Sequence, residues 1–207
     1  MIQHLLTEEG SPSALLPYTP VEYLRSPGAQ YIDSGICPDD STGAMACFCA
    51  ESKIGQFNYP AGAMYDDGSA RFYVPGVTAN VGGAAFGWNA STFFVNGGVN
   101  PLLKAVSSLN YLNNREAAFD NGVHSYRADL STPLYPVDLP IHIFGVNRDG
   151  SNVTNFDMRI YYVIISKGTN IVRHFVPALD AAGTPCMWDK ISRSFFYNIG
   201  TGAFIVP

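Results

Sequence analysis

Paired carboxylates, which could hydrolyse sugars, are the first chemistry to test against the sequence. A retaining glycosidase needs two carboxylates roughly 5 Å apart. One strand can supply them as Glu-x-Asp-x-x-Glu, because alternate side chains of a strand point to the same face. No glutamate of this 207-residue chain is followed by aspartate two residues later; the glutamates are Glu8, Glu9, Glu22, Glu51 and Glu116. The sequence therefore predicts no catalytic residue and no enzyme.

Histidines and cysteines do not form a metal-binding or nucleophilic pattern either. The sequence has no Cys-x-x-Cys pair, no His-Glu-x-x-His, no Gly-x-Ser-x-Gly and no phosphate loop. Cys47 and Cys49 share a face of a predicted strand, but two ligands without a nearby histidine pair do not complete a zinc tetrahedron. With Cys37 and Cys186 they are predicted to be reduced and mostly buried. No metal and no cofactor is expected.

Aromatic residues beside amides and acids are the pattern that could bind a sugar. Such a site needs an exposed ring face with amide or carboxylate groups nearby. The best candidates for ligand contacts are Trp88, Asn89, Tyr73, Asp66 and Asp67. For each ring a core position is the alternative, and for Trp88 it is the favoured one, because aromatic residues make up 13% of the chain.

Two acidic pairs are the candidates for calcium. They are Asp39–Asp40 and Asp66–Asp67. Carboxylate oxygens are the ligands that calcium prefers, but such a pair in a loop is more often solvent-facing charge. Solvent-facing charge is therefore the favoured interpretation of both pairs.

The composition limits the class of protein. The formal net charge of −5 disfavours a phosphate-binding surface, so no nucleic-acid partner is expected. Charged residues make up only 14% of the chain, against roughly 25% in an ordinary domain. The surface is therefore expected to be neutral and polar, or covered by other subunits. No apolar run reaches transmembrane length, and no secretory signal is recognised.

Short extended runs separated by turn formers dominate the chain. The predicted strands are residues 21–24, 30–34, 44–50, 71–74, 82–88, 92–95, 115–119, 123–130, 141–146, 158–165, 171–176, 186–189, 194–197 and 203–206. The run at 71–74 is expected to end at Pro75–Gly76. Asn121–Gly122 predicts a hairpin turn between 115–119 and 123–130. About a dozen strands without alternating helices predict an all-β, two-sheet antiparallel sandwich.

One helix is also predicted. Asn100 suits an N-cap and Pro101 suits the first helical position. Leucine and valine follow at spacings of three and four as far as Leu112. A strand over residues 106–111 is the alternative.

Two stretches resemble a known family. They are residues 21–36 (VEYLRSPGAQYIDSGI) and a C-terminal set that includes 173–178 (RHFVPA), 188–189 (WD) and 200–204 (GTGAF). They resemble the laminin-G-like, concanavalin-A-like jelly-roll domains of phage virion proteins and gut-bacterial surface proteins. The resemblance covers about half the chain, at its two ends. It implies two curved antiparallel sheets with the first and last strands close together.

Three aspartates in these stretches suit turns better than catalysis. They are Asp33, Asp180 and Asp189, and each is expected to cap a turn. The family more often has threonine at the Pro27 position and tyrosine at the Trp188 position. Both departures are conservative for the fold and say nothing about a ligand.

The chain is expected to consist of an N-terminal arm and one domain. Residues 1–19 form the arm, because Gly10 and the prolines Pro17 and Pro20 exclude a long helix. Residues 20–207 form the jelly roll. The arm is interpreted either as a frayed terminus or as a strap on a neighbouring subunit.

The resemblance favours a non-enzymatic phage virion structural protein, such as a head decoration, head-fibre or tail-appendage component. Its partners would be other virion proteins or copies of itself in an arm-mediated assembly, with a host-cell glycan as a further ligand. The alternative is a carbohydrate-binding module of a bacterial surface protein, and a glycoside hydrolase is the least favoured. The protein would then be located in the virion or, for the alternative function, at the bacterial surface. No membrane insertion is expected.

Overall fold

The computed structural model describes residues 16–51, 58–78, 83–96, 102–153 and 157–207. These residues form two sheets packed face to face. The larger sheet contains β1 (Thr19–Pro20), β2 (Leu24–Ser26), β4 (Thr42–Ala50), β9 (Ala105–Leu109), β10 (Glu116–Asp120), β11 (Ser125–Asp129), β15 (Met158–Lys167), β16 (Asn170–Leu179), β17 (Pro185–Asp189) and β18 (Ser194–Phe196). The smaller sheet contains β3 (Ile32–Asp33), β5 (Ala61–Met64), β6 (Arg71–Thr78), β7 (Gly83–Trp88), β8 (Ser91–Asn96), β12 (His142–Ile143), β13 (Val146–Arg148) and β14 (Ser151–Val153).

The strand order is that of a sandwich with long-range pairing. The larger sheet runs β11-β10-β9-β4-β15-β16-β17-β18, with β2 beside β15 and β1 beside β16. The smaller sheet runs β14-β13-β5-β6-β7-β8, and β12 joins β3 to β5. The pairs are antiparallel except β13 with β5. The predicted all-β jelly-roll sandwich is confirmed.

Inward-facing residues of β4 and β15 form the side of the core that belongs to the larger sheet. Ala44, Ala46 and Phe48 point between the sheets, and Ile160 and Val163 of β15 lie beside them. Alanines on β4 leave room for the larger rings of the smaller sheet, and such interdigitation is what keeps cores at crystal-like density. The core is therefore built across elements that are far apart in the sequence.

The cysteines follow the prediction. Cys47 and Cys49 lie on the opposite face of β4 from the core alanines, so they share a face, and both are buried. Cys186 is also buried, Cys37 is exposed, and all four thiols are free. Burial raises the pKa of the Cys186 thiol to about 11. Cys186 is therefore a small apolar packing residue.

The predicted helix over 100–112 is wrong in its described part. Residues 105–109 form β9, which pairs with β4 on one side and β10 on the other. Pairing on both sides outweighs the weak helical spacing of the leucines. The strand alternative is confirmed, and Asn100 and Pro101 lie outside the described residues. Within the described ranges, the only helical turn is a 3-10 turn over Tyr111–Asn113.

Several strand boundaries also differ from prediction: the strand predicted at 21–24 is β2 at Leu24–Ser26, and β5 at Ala61–Met64 was not predicted. β6 continues through Pro75–Gly76, where its register with β7 shifts. Proline is tolerated at such an irregularity. Gly76 is required there, because a Cβ would lie 2.0 Å from the Asn58 carbonyl oxygen. The predicted strand 141–146 is split into β12 and β13 at Phe144, whose φ is 69°.

The predicted hairpin is confirmed. β10 and β11 pair from Glu116 with Asp129 to Asp120 with Ser125. Gly122 has a φ of 79°, and the Asn121 carboxamide oxygen accepts the His124 N–H at 2.8 Å. The left-handed conformation is what glycine supplies at a tight turn.

Both ends of the described chain lie in the sandwich. Arg25 of β2 bridges Ile205, so the two ends of the sandwich are close in space. The predicted strand 203–206 is wrong, because this single bridge is its only ladder contact in the described residues. Thr19–Pro20 pairs with Leu179 and Ala178 of β16. Residues 1–15 lie outside the described residues, so the arm, its 19/20 boundary and its role in assembly stay predictions. None of the described segments is a helix with the length and apolarity to cross a membrane.

Candidate functional site

Three turns and one loop gather at one end of the sandwich, which we call the loop end. The turns are 65–70 between β5 and β6, 89–90 between β7 and β8, and 149–150 between β13 and β14. The loop is 130–140. The turns meet because β5, β6, β7 and β13 lie side by side in the smaller sheet. Four of the five predicted site residues lie here: Trp88, Asn89, Asp66 and Asp67.

Trp88 does not offer an exposed ring. Its side chain is only 2% exposed and packs in the core, with its centroid 6.4 Å from that of Phe72. The indole N–H donates to the Thr132 carbonyl oxygen at 2.8 Å. The core position favoured for Trp88 in the sequence is the one that the structure has. The indole therefore anchors the loop rather than a ligand.

Tyr73 lies away from the loop end and is also buried. Its ring lies across Gly87, where a Cβ would be 2.3 Å from the ring carbons. Tyr59 covers it at 4.2 Å between centroids, and its hydroxyl is hydrogen-bonded to that of Thr92. Tyr73 therefore packs on the outer face of the smaller sheet, with no free ring face for a ligand.

Asn89 organises the loop rather than facing solvent. It is a turn residue with a φ of 55°, and it is buried. Its carboxamide nitrogen donates to the Pro133 carbonyl oxygen at 2.7 Å, and its oxygen accepts the Tyr135 N–H at 2.6 Å. One amide thus fixes the main chain on both sides of Leu134.

Tyr135 is the exposed ring that these contacts present. Its side chain is 61% exposed, although the residues around it are fixed. The Leu134 N–H donates to Asp40 at 2.8 Å, and the Val137 N–H donates to the Pro38 carbonyl oxygen at 2.9 Å. Leu134 and Val137 are both buried. The loop is therefore pinned on both sides of a ring that points outward.

Sequence reasoning missed Tyr135. The local signal is its position between Pro133 and Pro136, which restrict the main chain. A rigid segment loses less entropy when its side chain binds a ligand. A ring between two prolines was thus a better indicator of an exposed aromatic side chain than the tryptophan.

Charged groups surround the loop end, and two arginine–aspartate pairs lie among them. Arg115 binds Asp40 through both of its terminal nitrogens, at 2.6 and 2.5 Å. Arg148 pairs with Asp66, and the Arg71 guanidinium donates to the Ala90 carbonyl oxygen. Bidentate pairing of this kind fixes the orientation of the arginine. The remaining guanidinium N–H groups of Arg115, which is partly exposed, stay available to an acceptor.

The acidic pairs are engaged in contacts within the chain. Asp39 pairs with Lys167 at 2.8 Å, and Asp40 and Asp66 pair with arginines. Asp67 is exposed and accepts the Ser69 N–H at 2.8 Å. No group of three or more histidine, cysteine, aspartate or glutamate residues is arranged around a metal position in the described ranges. The absence of a metal stays a prediction.

The predicted turn caps are confirmed. Asp33 accepts the Gly35 N–H at 2.7 Å, and Asp180 accepts the Ala182 and Thr184 N–H groups at 2.9 and 2.8 Å. Asp189 accepts the His174 and Ile191 N–H groups at 2.7 and 3.1 Å. These acids fix the main chain.

Comparison with known proteins gives structures but no family. No family model and no curated protein matches the sequence. Among solved structures, the chain is similar to a candidate carbohydrate binding protein from Bacteroides ovatus, with a TM-score of 0.57 and 12% identity. The match covers 91% of this chain and 60% of that one. This likeness shows the fold. The chain thus spans about 60% of the length of that protein.

Two further similar structures are of CBM40 from the Ruminococcus gnavus IT-sialidase. The one bound to alpha2,3 sialyllactose has a TM-score of 0.46 and 12% identity, over 68% of this chain and 89% of that one. The other has a TM-score of 0.44 and 11% identity, over 72% and 92%. None of the three named structures is described as a virion protein, so the virion role has no support among them.

Proposed function

We propose that the chain is a non-catalytic carbohydrate-binding module that binds sugar at the loop end, with Tyr135 as the stacking ring. The observation that carries the proposal is an exposed aromatic ring on a loop whose main chain is fixed by Asn89, Asp40 and Pro38. An amphipathic ring of this kind, with an apolar body and a polar tip, suits a partly wet interface.

The chemistry of the loop end fits a sugar. One face of a pyranose is apolar and can stack on tyrosine, while its hydroxyls need donors and acceptors nearby. Arg115 has unused N–H donors beside the loop, and Asp67 is an exposed acceptor on the neighbouring turn. A few convergent polar groups around an apolar surface are typical of ligand sites.

The loop is ordered before any ligand arrives. Trp88 and Asn89 form four hydrogen bonds with residues 132–135. A ligand therefore meets a ring whose backbone is already in place, which reduces the entropy lost on binding. In this proposal Trp88 and Asn89 are positioning residues, and Tyr135 makes the contact.

Catalysis is the less favoured function for the same end of the molecule. Asp40 and Asp66 are each paired with an arginine. A carboxylate held in this way would have to leave its ion pair before it could donate a proton to a glycosidic oxygen. The geometry therefore favours binding over hydrolysis.

The fold comparison supports a binding module rather than the virion component first favoured by the sequence. The similar Bacteroides ovatus protein is described as binding carbohydrate. The glycan-binding domain of a bacterial surface protein, which was the alternative interpretation of the sequence, is therefore the function that we propose.

A glycan array with three proteins tests the proposal. The wild type is compared with Tyr135→Ala and with Tyr197→Ala, a matched control that removes an exposed tyrosine after β18. We expect the wild type and the control to bind the same glycans. Tyr135→Ala should bind roughly fivefold more weakly, because aromatic contacts contribute about 1 kcal/mol.

The melting temperature decides how a loss is interpreted. Because the Tyr135 side chain is exposed, Tyr135→Ala should melt within a degree or two of the wild type. Unchanged glycan binding by Tyr135→Ala would contradict the site, and a wild type that binds no glycan on the array would contradict the function.

A further inference from the structure

The turn between β9 and β10, residues 110–115, is held in an unusual main-chain conformation. Four of its six residues have a positive φ although none is a glycine: Asn110 at 47°, Leu112 at 53°, Asn113 at 61° and Arg115 at 55°. Asparagine tolerates this region, but leucine and arginine rarely adopt it, and glycine would adopt it at lower cost. Residues of this kind persist where the surrounding structure enforces them, and they cluster at ligand sites.

Contacts with the larger sheet enforce the conformation of the 110–115 turn. The Asn110 side chain accepts the Arg115 N–H at 3.1 Å. The Leu112 N–H donates to the Ser166 hydroxyl of β15 at 3.1 Å. Gly43 of β4 leaves room for the turn, because a Cβ there would lie 2.1 Å from the Asn110 carbonyl oxygen. The turn is therefore fixed by the two strands on which it lies.

The outward-facing side chains of the turn are not needed to hold it in place. Leu112 is 37% exposed, and Asn113 and Asn114 are exposed beside it. Because glycine would give the same main chain at lower cost, the leucine side chain at this position indicates a role at the surface. An apolar side chain next to two amides combines the apolar contact and the hydrogen-bonding groups that a sugar site needs.

Asp40 joins this turn to the loop that carries Tyr135. Its Oδ1 atom accepts the Leu134 N–H at 2.8 Å and the Arg115 guanidinium at 2.6 Å. One carboxylate oxygen therefore contacts both the main chain next to Tyr135 and the side chain of the last residue of the turn. The two exposed surfaces are thus neighbours at the loop end.

The loop end lies in a part of the sandwich whose strands and turns are all described. Residues 38–43, 110–116 and 130–140 belong to the described ranges. The residues that border the undescribed interior ranges lie at the opposite end of the sandwich, at positions 51, 58, 78, 83, 96, 102, 153 and 157. The exposed fractions of Leu112 and Tyr135 therefore take into account every strand and turn of the sandwich at their own end.

We propose that the 110–115 turn is a second sugar subsite, so that the ligand is an oligosaccharide that reaches from Tyr135 past Arg115 to Leu112. The inference rests on the proposed function, because Tyr135 supplies the first subsite. One sugar stacks on the tyrosine ring, and a later sugar packs its apolar face on Leu112 and bonds its hydroxyls to the amides of Asn113 and Asn114. Both subsites are fixed before the ligand binds, which reduces the entropy lost on binding.

Leu112→Gly tests the subsite without changing the main chain of the turn. Glycine readily adopts a φ of 53°, so the melting temperature should stay within a degree or two of the wild type. In isothermal titration calorimetry, the Kd for the glycan that binds most tightly on the array should rise about fivefold. A leucine with a merely structural role would lower the melting temperature and leave the Kd unchanged.

Arg193→Gly is the matched control. Arg193 also has a positive φ, 54°, and it is exposed in the turn between β17 and β18. That turn lies about 20 Å from the 110–115 turn across the larger sheet, because four strand spacings separate β9 from β17. The Kd of Arg193→Gly should equal that of the wild type. Asn113→Gly, at a φ of 61°, gives the same comparison if Leu112→Gly does not fold.

Fragments of the same glycan separate the two subsites. When sugars are removed one at a time from either end, we expect a fragment that Tyr135→Ala weakens and Leu112→Gly does not, whereas both variants should weaken the intact glycan. An unchanged Kd for the intact glycan in Leu112→Gly, or a monosaccharide that binds as tightly as the intact glycan, would overturn the second subsite and leave the Tyr135 site standing. A wild type that binds no glycan would overturn both proposals.

Discussion

The two tryptophans of the chain are buried in different ways. Trp88 is 2% exposed and lies between the sheets, where its indole N–H holds the 130–140 loop. Trp188 is 8% exposed and lies on the outer face of the larger sheet, in a separate cluster with Cys186 and Ala178. Tyr18 from the N-terminal segment covers it at 5.2 Å between ring centroids.

The difference shows two uses of a large ring in a sandwich. Trp88 is covered by the core, and it fixes a loop at one end. Trp188 is covered by another segment of the chain, and it fixes that segment to the sheet through Tyr18 and the pairing of Thr19–Pro20 with β16. Neither ring is exposed, which is why the proposed sugar site uses a tyrosine on a loop instead. Size and aromatic character alone therefore do not indicate exposure.

Trp88→Ala should have the largest effect of the changes that compare the two regions. Removing a fully buried tryptophan leaves a cavity and typically costs about 3–5 kcal/mol. The loop also loses the bond to the Thr132 carbonyl oxygen. We expect a lower urea midpoint together with weaker glycan binding.

Trp88→Phe separates the contribution of the indole hydrogen bond to stability from that of core packing. It keeps most of the ring and removes the indole donor, so its cost should be about 1–3 kcal/mol for the carbonyl left without a partner. If Trp88→Ala unfolds at the urea concentration of the wild type, the core position assigned to Trp88 is not correct.

Trp188→Ala should have a smaller effect on global stability. The outer cluster is small and the ring is less deeply covered, so we expect a loss of roughly 2–3 kcal/mol. The distinguishing result is local. Cleavage by a protease near residues 16–20 should speed up in Trp188→Ala and stay unchanged in Trp88→Phe. Equal cleavage in the two variants would remove the distinction between the regions.

Lowering the pH should have the smallest effect on the stability of the protein, and this effect should arise in the region around Trp188. Burial alone would raise the pKa of Asp189, but hydrogen bonds from Ser192, His174 and Ile191 outweigh it and hold the pKa below the usual value. A lowered folded-state pKa means that Asp189 adds stability above the unfolded value of about 3.9 and loses it as the pH falls through the folded value.

The control for this acid dependence is Asp189→Asn, which cannot titrate. The melting temperature of the wild type should fall more steeply below about pH 4 than that of Asp189→Asn. Parallel curves for the two proteins would show that Asp189 does not contribute to the acid sensitivity.

The regular hairpins could be predicted from the sequence because the residues that determine them lie in the turns and in the strands next to them. Gly122 and Gly168 have φ values of 79° and 58°, and each sits in a turn between runs of β-branched and aromatic residues. Such turns need no help from distant residues. The hairpins β10–β11 and β15–β16 were therefore found within a few residues of their ends.

The middle of the chain depends on distant contacts. The turn after β9 is set by Asn110, whose φ is 47° and whose side chain donates to the Asp40 and Thr42 carbonyl oxygens. The continuation of β6 past Pro75 depends on the close approach of Asn58. Both contacts join residues that are far apart in the sequence, so a short segment of sequence does not reveal them. For the same reason a helix was predicted over residues that form β9.

The sequence predicted the region of the candidate site but not the residue whose ring is exposed there. Trp88 and Asn89 were found, but their role depends on contacts with residues 132–135, more than forty positions away. The ring that they present, Tyr135, is also held through Asp40, which binds the Leu134 main chain. An exposed position is decided by such tertiary contacts, and composition does not contain them.

The pairing of β4 with β15 affects how the protein is made. Residue 42 pairs with residue 167, so the centre of the larger sheet closes only after most of the chain has been synthesised. At about 5–20 residues per second, a ribosome needs roughly 5–20 s to extend the chain from β4 to β15. Throughout that time one edge of β4 lacks the strand that pairs with it, and folding rates fall as contacts become less local. A chaperone that covers exposed apolar segments during synthesis should therefore increase the folded yield.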